Sequence, residues 1–145
     1  MFDFNILITN KIFISCFLIL AISQTIKTFV KFFQLKKFDF KIFFETGGMP
    51  SSHSAIAFGL FFSLFLYEGI TTITIIVFFL ALLIIRDSFG LRREVGMHAK
   101  ILNKLKNKNK IKTDLKFNEF TGHSLIQVIS GIVLAFIICL IVYFI

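Results

Sequence analysis

Apolar residues run along this chain in four long blocks, and polar ones gather between them. The first block is Ile6–Ile26, with Lys11 near one end, where its stem can snorkel to water. Met49–Leu66 and Ile70–Ile85 are shorter and flank Tyr67-Glu68-Gly69, a sequence suited to a tight helical hairpin. Ser124–Ile145 is the last, almost purely aliphatic after Gln127. A helix needs about 20 apolar residues to cross a hydrocarbon core of about 30 Å. The pattern predicts an all-α, polytopic membrane helix bundle of about four transmembrane helices, with 1–145 as one integral-membrane domain. The middle pair is short, so burial inside the bundle or local bilayer thinning must make up its length. A cleaved leader is disfavoured. Ala21-Ile22-Ser23 loosely fits a cleavage site, but Asp3 stands where a basic cluster belongs and the apolar block runs on past Ser23.

Composition supports lipid as the solvent. The 145 residues are 57% hydrophobic and 17% charged, with 22 Phe and a single Pro. Ordinary soluble domains are about 45–50% apolar and about 25% charged. A soluble domain of about 150 residues leaves about 30% of its unfolded surface exposed, too much to hide this many Phe and Ile side chains. A multidomain protein, a disordered chain and a disulfide scaffold are excluded. Cys16 and Cys139 both lie inside apolar blocks and read as buried thiols.

The charge is strongly basic, 16 Lys+Arg against 8 Asp+Glu. Five of the cations fall in the connection Lys27–Gly48 and ten in the connection Arg86–Gly122, leaving Lys11 alone at the other side. The positive-inside rule then puts both connections in the cytoplasm and both termini outside. Lys100–Lys116 alternates Lys, Asn and aliphatic residues and reads as a loop on the lipid surface, where each Lys is worth about 1 kcal/mol against anionic headgroups. No nucleic acid is expected as partner, because no recognition module accompanies the charge. Membrane lipids, and a phosphorylated lipid as substrate or ligand, are the expected partners. The expected location is a cell membrane of bacterial inner-membrane type, with the motif face cytoplasmic.

Under this topology the polar residues beside the spans meet at one membrane face. Gly47-Gly48-Met49-Pro50-Ser51-Ser52-His53-Ser54 opens the second block. Glycines permit close approach of a ligand, Pro50 suits a first helical turn, and amides at a helix N-terminus attract anions. His53 could there protonate a leaving oxygen. His123 also opens a helix, with Thr121 as candidate N-cap. A nucleophilic imidazole needs one nitrogen free and the other held by an acceptor; Glu119 and Gln127, four residues to either side, would share its face if the segment is helical. Arg92 and Arg93 present guanidinium forks that fit phosphate oxygens, Asp87 is placed to orient one of them, and Lys27 is a further phosphate contact.

Gln24 and Lys27, GGMPSSHSA (Gly47–Ala55), RDSFGLRREVG (Arg86–Gly96), Leu102-Asn103 and GHSLIQVISG (Gly122–Gly131) together resemble the divergent branch of the type-2 phosphatidic acid phosphatase and vanadium haloperoxidase superfamily. The resemblance covers nearly the whole chain. It implies an all-helical bundle, phosphoryl transfer without metal or cofactor, His123 as nucleophile, His53 as acid, and Ser51 and Ser52 as the phosphate-binding turn. It departs from the superfamily at three points. Arg92 and Arg93 lie about thirty residues upstream of His123 rather than a few, only Lys27 stands for the first motif, and Gln127 occupies the place of an acid. The implied function is an integral-membrane phosphatase acting on a lipid phosphate or pyrophosphate. The alternative is a non-catalytic protein that binds or transports anionic lipid headgroups.

Overall fold

The computed structural model describes residues 9–35, 48–108, 115, 117, 119 and 122–145. Gly47, Thr121, Lys36, Lys37, Lys41, Lys110, Lys112 and Lys116 lie outside them. All regular structure among the described residues is helical: α1 (Lys11–Leu35), α2 (Ser52–Glu68), α3 (Thr72–Arg86), a π-helical turn (Asp87–Leu91), α4 (Arg92–Lys108) and α5 (Leu125–Phe144). The protein is a membrane helix bundle of α1, α2, α3 and α5.

Three helical stretches are long and apolar enough to cross a membrane: Lys11–Phe33, Thr72–Lys108 and Leu125–Phe144. With 17 residues, α2 is about 25 Å long and falls short of a full crossing. It compensates by position. It packs against α1, α3 and α5, whereas α3 packs chiefly on α2 among the bundle helices. The expected hairpin is present: Gly69, at φ +72°, ends α2, and Thr71 caps α3 by accepting from the Thr74 amide.

The interior is built of small and hydroxyl-bearing residues. Ile19, Ala55, Ala135, Ile138 and Cys139 form the buried cluster, and Ser15, Ser23, Ser51, Ser54 and Ser63 are buried with them. The large side chains point outward, Phe17, Phe29, Phe79, Ile126 and Ile137 among them. This inverts a soluble domain, and lipid explains it: hydrocarbon solvates Phe and Ile, so small residues are left to bring backbones close. A Cβ on Gly59 would collide with Ile19 Cδ1, and one on Gly131 with the Ser51 carbonyl and Ser54 Oγ. The polar atoms inside are largely satisfied, as a low-dielectric interior requires. Ser15 Oγ donates to the Lys11 carbonyl, Ser54 Oγ to those of Ser51 and Val128, and Tyr67 OH to that of Val142 in the last turn of α5.

Two sequence expectations are corrected. The segment from Arg86 is not simply a connection: the helix runs on through the π-turn into α4, because hydropathy falls at Arg86 while no helix-stopping residue follows. The first helix likewise continues past Ile26, so Lys27 lies inside α1 and not at its end.

Candidate functional site

Three helix ends and the inner flank of α1 meet at one end of the bundle. The N-terminus of α2 is locked to the first turn of α5 by the Ser51 amide, which donates to the Gln127 carbonyl at 3.0 Å. The start of α5 is locked to the end of α3 by the His123 amide, which donates to the Ser88 carbonyl at 3.1 Å. The stem of Lys27 on α1 passes under Gly48, where a Cβ would lie 3.1 Å from its Cγ. Gly122, at φ +94°, presses its backbone onto that of Arg92 and Arg93, and a Cβ there would strike the Arg93 amide nitrogen. A left-handed conformation and a close crossing together demand glycine at this position.

These contacts bring the two imidazoles together. The rings of His53 and His123 lie with centroids 5.7 Å apart, tilted by 57°. His123 is buried, and so is Lys27. Burial first, and the neighbouring His53 ring second, pull the pKa of His123 down from 6.5 to about 4; the Gly122 backbone acts the other way, and the charges of Lys27 and Arg92 add to the depression. His123 is therefore neutral at pH 7 and keeps a free lone pair. Arg92 donates from Nε to Asp87 Oδ2 at 2.6 Å, a pair that spans the π-turn.

The other residues singled out from the sequence lie elsewhere or are engaged. Arg93 turns its guanidinium over the Phe89 ring, 5.8 Å from the centroid. Glu119 Oε1 accepts from Asn103 Nδ2 at 2.8 Å. Gln127 Oε1 accepts from the Ser124 amide at 2.9 Å while Ser124 Oγ accepts from the Gln127 amide, a capping box. The shared helical face expected for Glu119, His123 and Gln127 does not form, because α5 begins at Leu125 with Ser124 as its cap and His123 precedes it. Pro50 also stands outside its helix, before the cap Ser51 and after a cis bond from Met49. Ser51 Oγ accepts from the Ser54 amide, and its own amide is spent on α5, so it serves the helix start.

Four buried side-chain atoms among the described residues have no hydrogen-bond partner: Gln24 Oε1, Ser52 Oγ, Ser88 Oγ and His123 Nδ1. All belong to this end. Gln24 lies one turn before Lys27, Ser52 beside His53, and Ser88 across from the His123 amide. Sequence reading gave Ser88 no role, and nothing in the string marks it, since its place depends on the π-turn. No cluster of metal-ligand residues occurs among the described residues. The site is thus a polar cluster, termed the chamber, of two imidazoles with a buried ammonium and a guanidinium beside them and with unmet hydrogen-bonding capacity.

Comparison with known proteins gives this arrangement a family. An uncharacterized membrane protein of Bacillus subtilis (strain 168), YuiD, is 33% identical over 100 residues, 68% of this chain and 63% of that protein. The matched part thus spans less than two thirds of that relative's length. No solved structure matches. The profile of the divergent PAP2 family matches residues 8–138, which takes in α1 through most of α5 and every residue of the chamber. The chain belongs to the divergent PAP2 family.

Proposed function

We propose that the chamber binds the phosphate of a lipid phosphate or pyrophosphate at the membrane face and hydrolyses it through a histidine nucleophile. The observation that carries this reading is the pair of imidazoles 5.7 Å apart, one of them held neutral, beside Lys27 and Arg92. Neutral His123 attacks phosphorus through Nε2, its Nδ1 being buried, and the bond from phosphorus to the leaving oxygen breaks. Burial and the charges of Arg92 and Lys27 lower the pKa of His53, so its acid form depends on the bound phosphate anion, which favours the protonated ring; His53 then gives the leaving oxygen its proton. Water then attacks the phosphohistidine, His53 takes up the proton that water releases, and phosphate leaves with His123 restored. Lys27 and Arg92 neutralise the charge that builds on the transferred group, and Ser52 Oγ and Ser88 Oγ, which have no hydrogen-bond partner, supply donors. The basic residues at this end, against Lys11 at the other, support a cytoplasmic site.

A second reading has its own support. Neither Glu119 nor Gln127 holds His123, and Nδ1 has no hydrogen-bond partner, so the Gly122 backbone favours an imidazolium without help from a carboxylate. A chamber that binds anionic headgroups without turnover needs none. Phosphate release from several lipid phosphates by the detergent-solubilised protein separates the two. Turnover that falls at least about 100-fold in both His53→Ala and His123→Ala is the outcome expected for catalysis. Release that survives both substitutions defeats the mechanism. Saturable binding with no release, tolerant of His53→Gln, establishes the second reading instead.

A further inference from the structure

Beside the π-turn a groove of about 500 Å³ opens on the outer surface, lined by Leu83, Arg86, Asp87, Gly90, Leu91 and Glu94. We propose that it seats the headgroup of a zwitterionic phospholipid that ends in a primary ammonium. Position is the first argument. α3 packs chiefly on α2 in the bundle, and its Phe79, Leu80 and Leu83 side chains are exposed, on the side open to hydrocarbon. A lipid whose chains run along that side brings its headgroup to Arg86, the last residue of the helix.

Charge is the second argument. The Arg86 guanidinium offers a fork of donors to a phosphodiester. Asp87 is tied through Oδ2 to Arg92, so Glu94, in the first turn of α4, is the carboxylate left to accept from an ammonium. One cation and one such carboxylate in the same groove match a ligand that carries both signs. A purely anionic headgroup would meet Glu94 and Asp87 as well as Arg86. A quaternary ammonium has the charge but no N–H to donate.

Space is the third. A Cβ at Gly90 would meet nothing within 4 Å, and the residue is not in the left-handed region, so the floor of the groove is open and a side chain can be placed there without backbone strain. This site needs no turnover at the histidines and stands or falls apart from it.

The test uses the full chain reconstituted in bilayers with equal shares of ethanolamine-, choline- and glycerol-headed phospholipid of matched acyl chains. After mild extraction, native mass spectrometry reads the retained lipid. The ethanolamine-headed lipid is expected at about fivefold enrichment over the choline-headed one. Glu94→Gln should bring that ratio to about one, and Gly90→Leu should remove the retained lipid altogether, with Tyr143→Phe, an exposed residue at the hairpin end, as an unaffected control. Retention in bulk proportion, a preference for the glycerol-headed anionic lipid, or an enrichment that survives Glu94→Gln overturns the proposal. Should Gly90→Leu fold poorly, Glu94→Gln, a swap at an exposed residue, decides by itself.

Discussion

The two ends of the bundle are built with the same devices and left in opposite states. At the hairpin end, Thr71 caps α3, Thr74 Oγ1 donates to the Gly69 carbonyl at 2.8 Å, and Tyr67 OH covers a carbonyl in the last turn of α5. At the motif end, Ser51 and Ser124 cap α2 and α5 in the same way, yet the four unpartnered buried side-chain atoms found among the described residues all lie there. Buried polar groups in folded proteins are nearly always paired, so a local cluster of exceptions needs a cause. The proposed function supplies one: in a member of the divergent PAP2 family, hydrogen-bonding capacity beside two imidazoles and two cations would be kept for a phosphate. On that proposal the hairpin end serves the fold and the motif end serves a ligand.

The sharpest way to break this contrast is through two glycines with positive φ. Gly122 at the motif end has the Arg92–Arg93 backbone against it, while Gly69 at the hairpin has nothing within 4 Å of a Cβ. Gly69→Ala carries only the strain of a left-handed conformation, about 1–2 kcal/mol. Gly122→Ala adds overpacking against backbone, for a total of about 2–5 kcal/mol. Thermal unfolding in detergent should rank Gly122→Ala well below Gly69→Ala, and phosphate binding should be lost with the former alone. Equal melting temperatures would mean that the crossing at Arg93 is not tight.

Hydroxyl deletions sharpen the contrast at lower energy. Thr74→Val removes a made hydrogen bond and should cost about 1 kcal/mol. Ser52→Ala removes a buried hydroxyl that has no partner, so stability should hold or rise by up to about 1 kcal/mol. The same change removes a proposed phosphate donor, and affinity for a lipid phosphate should fall by about fivefold to tenfold. Stability and binding thus move in opposite directions at the motif end. A Ser52→Ala protein that melts lower and binds as before would place Ser52 with the structural hydroxyls.

Much of this division was legible in the sequence, and the misses share a cause. The blocks gave the helices, and Tyr67-Glu68-Gly69 gave the hairpin. The two segments that hold Gly and His do stand at neighbouring helix starts, but Pro50 and His123 precede their helices and do not open them. Placing Glu119 and Gln127 around His123 assumed a helix through 119–127. The signal against it was present, since Ser124 and Gln127 have the spacing of a capping box and mark a start at Leu125. The π-turn left no such mark. Arg86-Asp87 signals departure from hydrocarbon, and hydropathy cannot distinguish a helix that ends there from one that runs on. The close contacts of Gly59, Gly122 and Gly131 are properties of pairs of segments and appear only once the helices are packed.

The smallest expected effect is in the pH dependence of stability, and its sign follows from His123. Its pKa is about 4 in the fold, mainly from burial, against about 6.5 in the unfolded chain. Above pH 6.5 the ring is neutral in both states, and its burial carries no protonation penalty. As pH falls below 6.5 the unfolded chain takes up the proton first, so stability declines, and the decline ends near pH 4 where the folded protein also protonates. Between pH 7 and pH 6 the loss is below about 1 kcal/mol. Other groups titrate in the same range, so the quantity to measure is the difference between the wild type and His123→Gln. That difference should grow steadily against the wild type as pH falls from 7 to 5. A bound phosphate would reverse part of it, because the anion favours the protonated ring. An inorganic phosphate titration at pH 5.5 should therefore raise the melting temperature of the wild type and leave His123→Gln nearly unchanged. A difference that is flat with pH would mean that His123 is solvated, and burial would then not hold the ring neutral below its ordinary pKa.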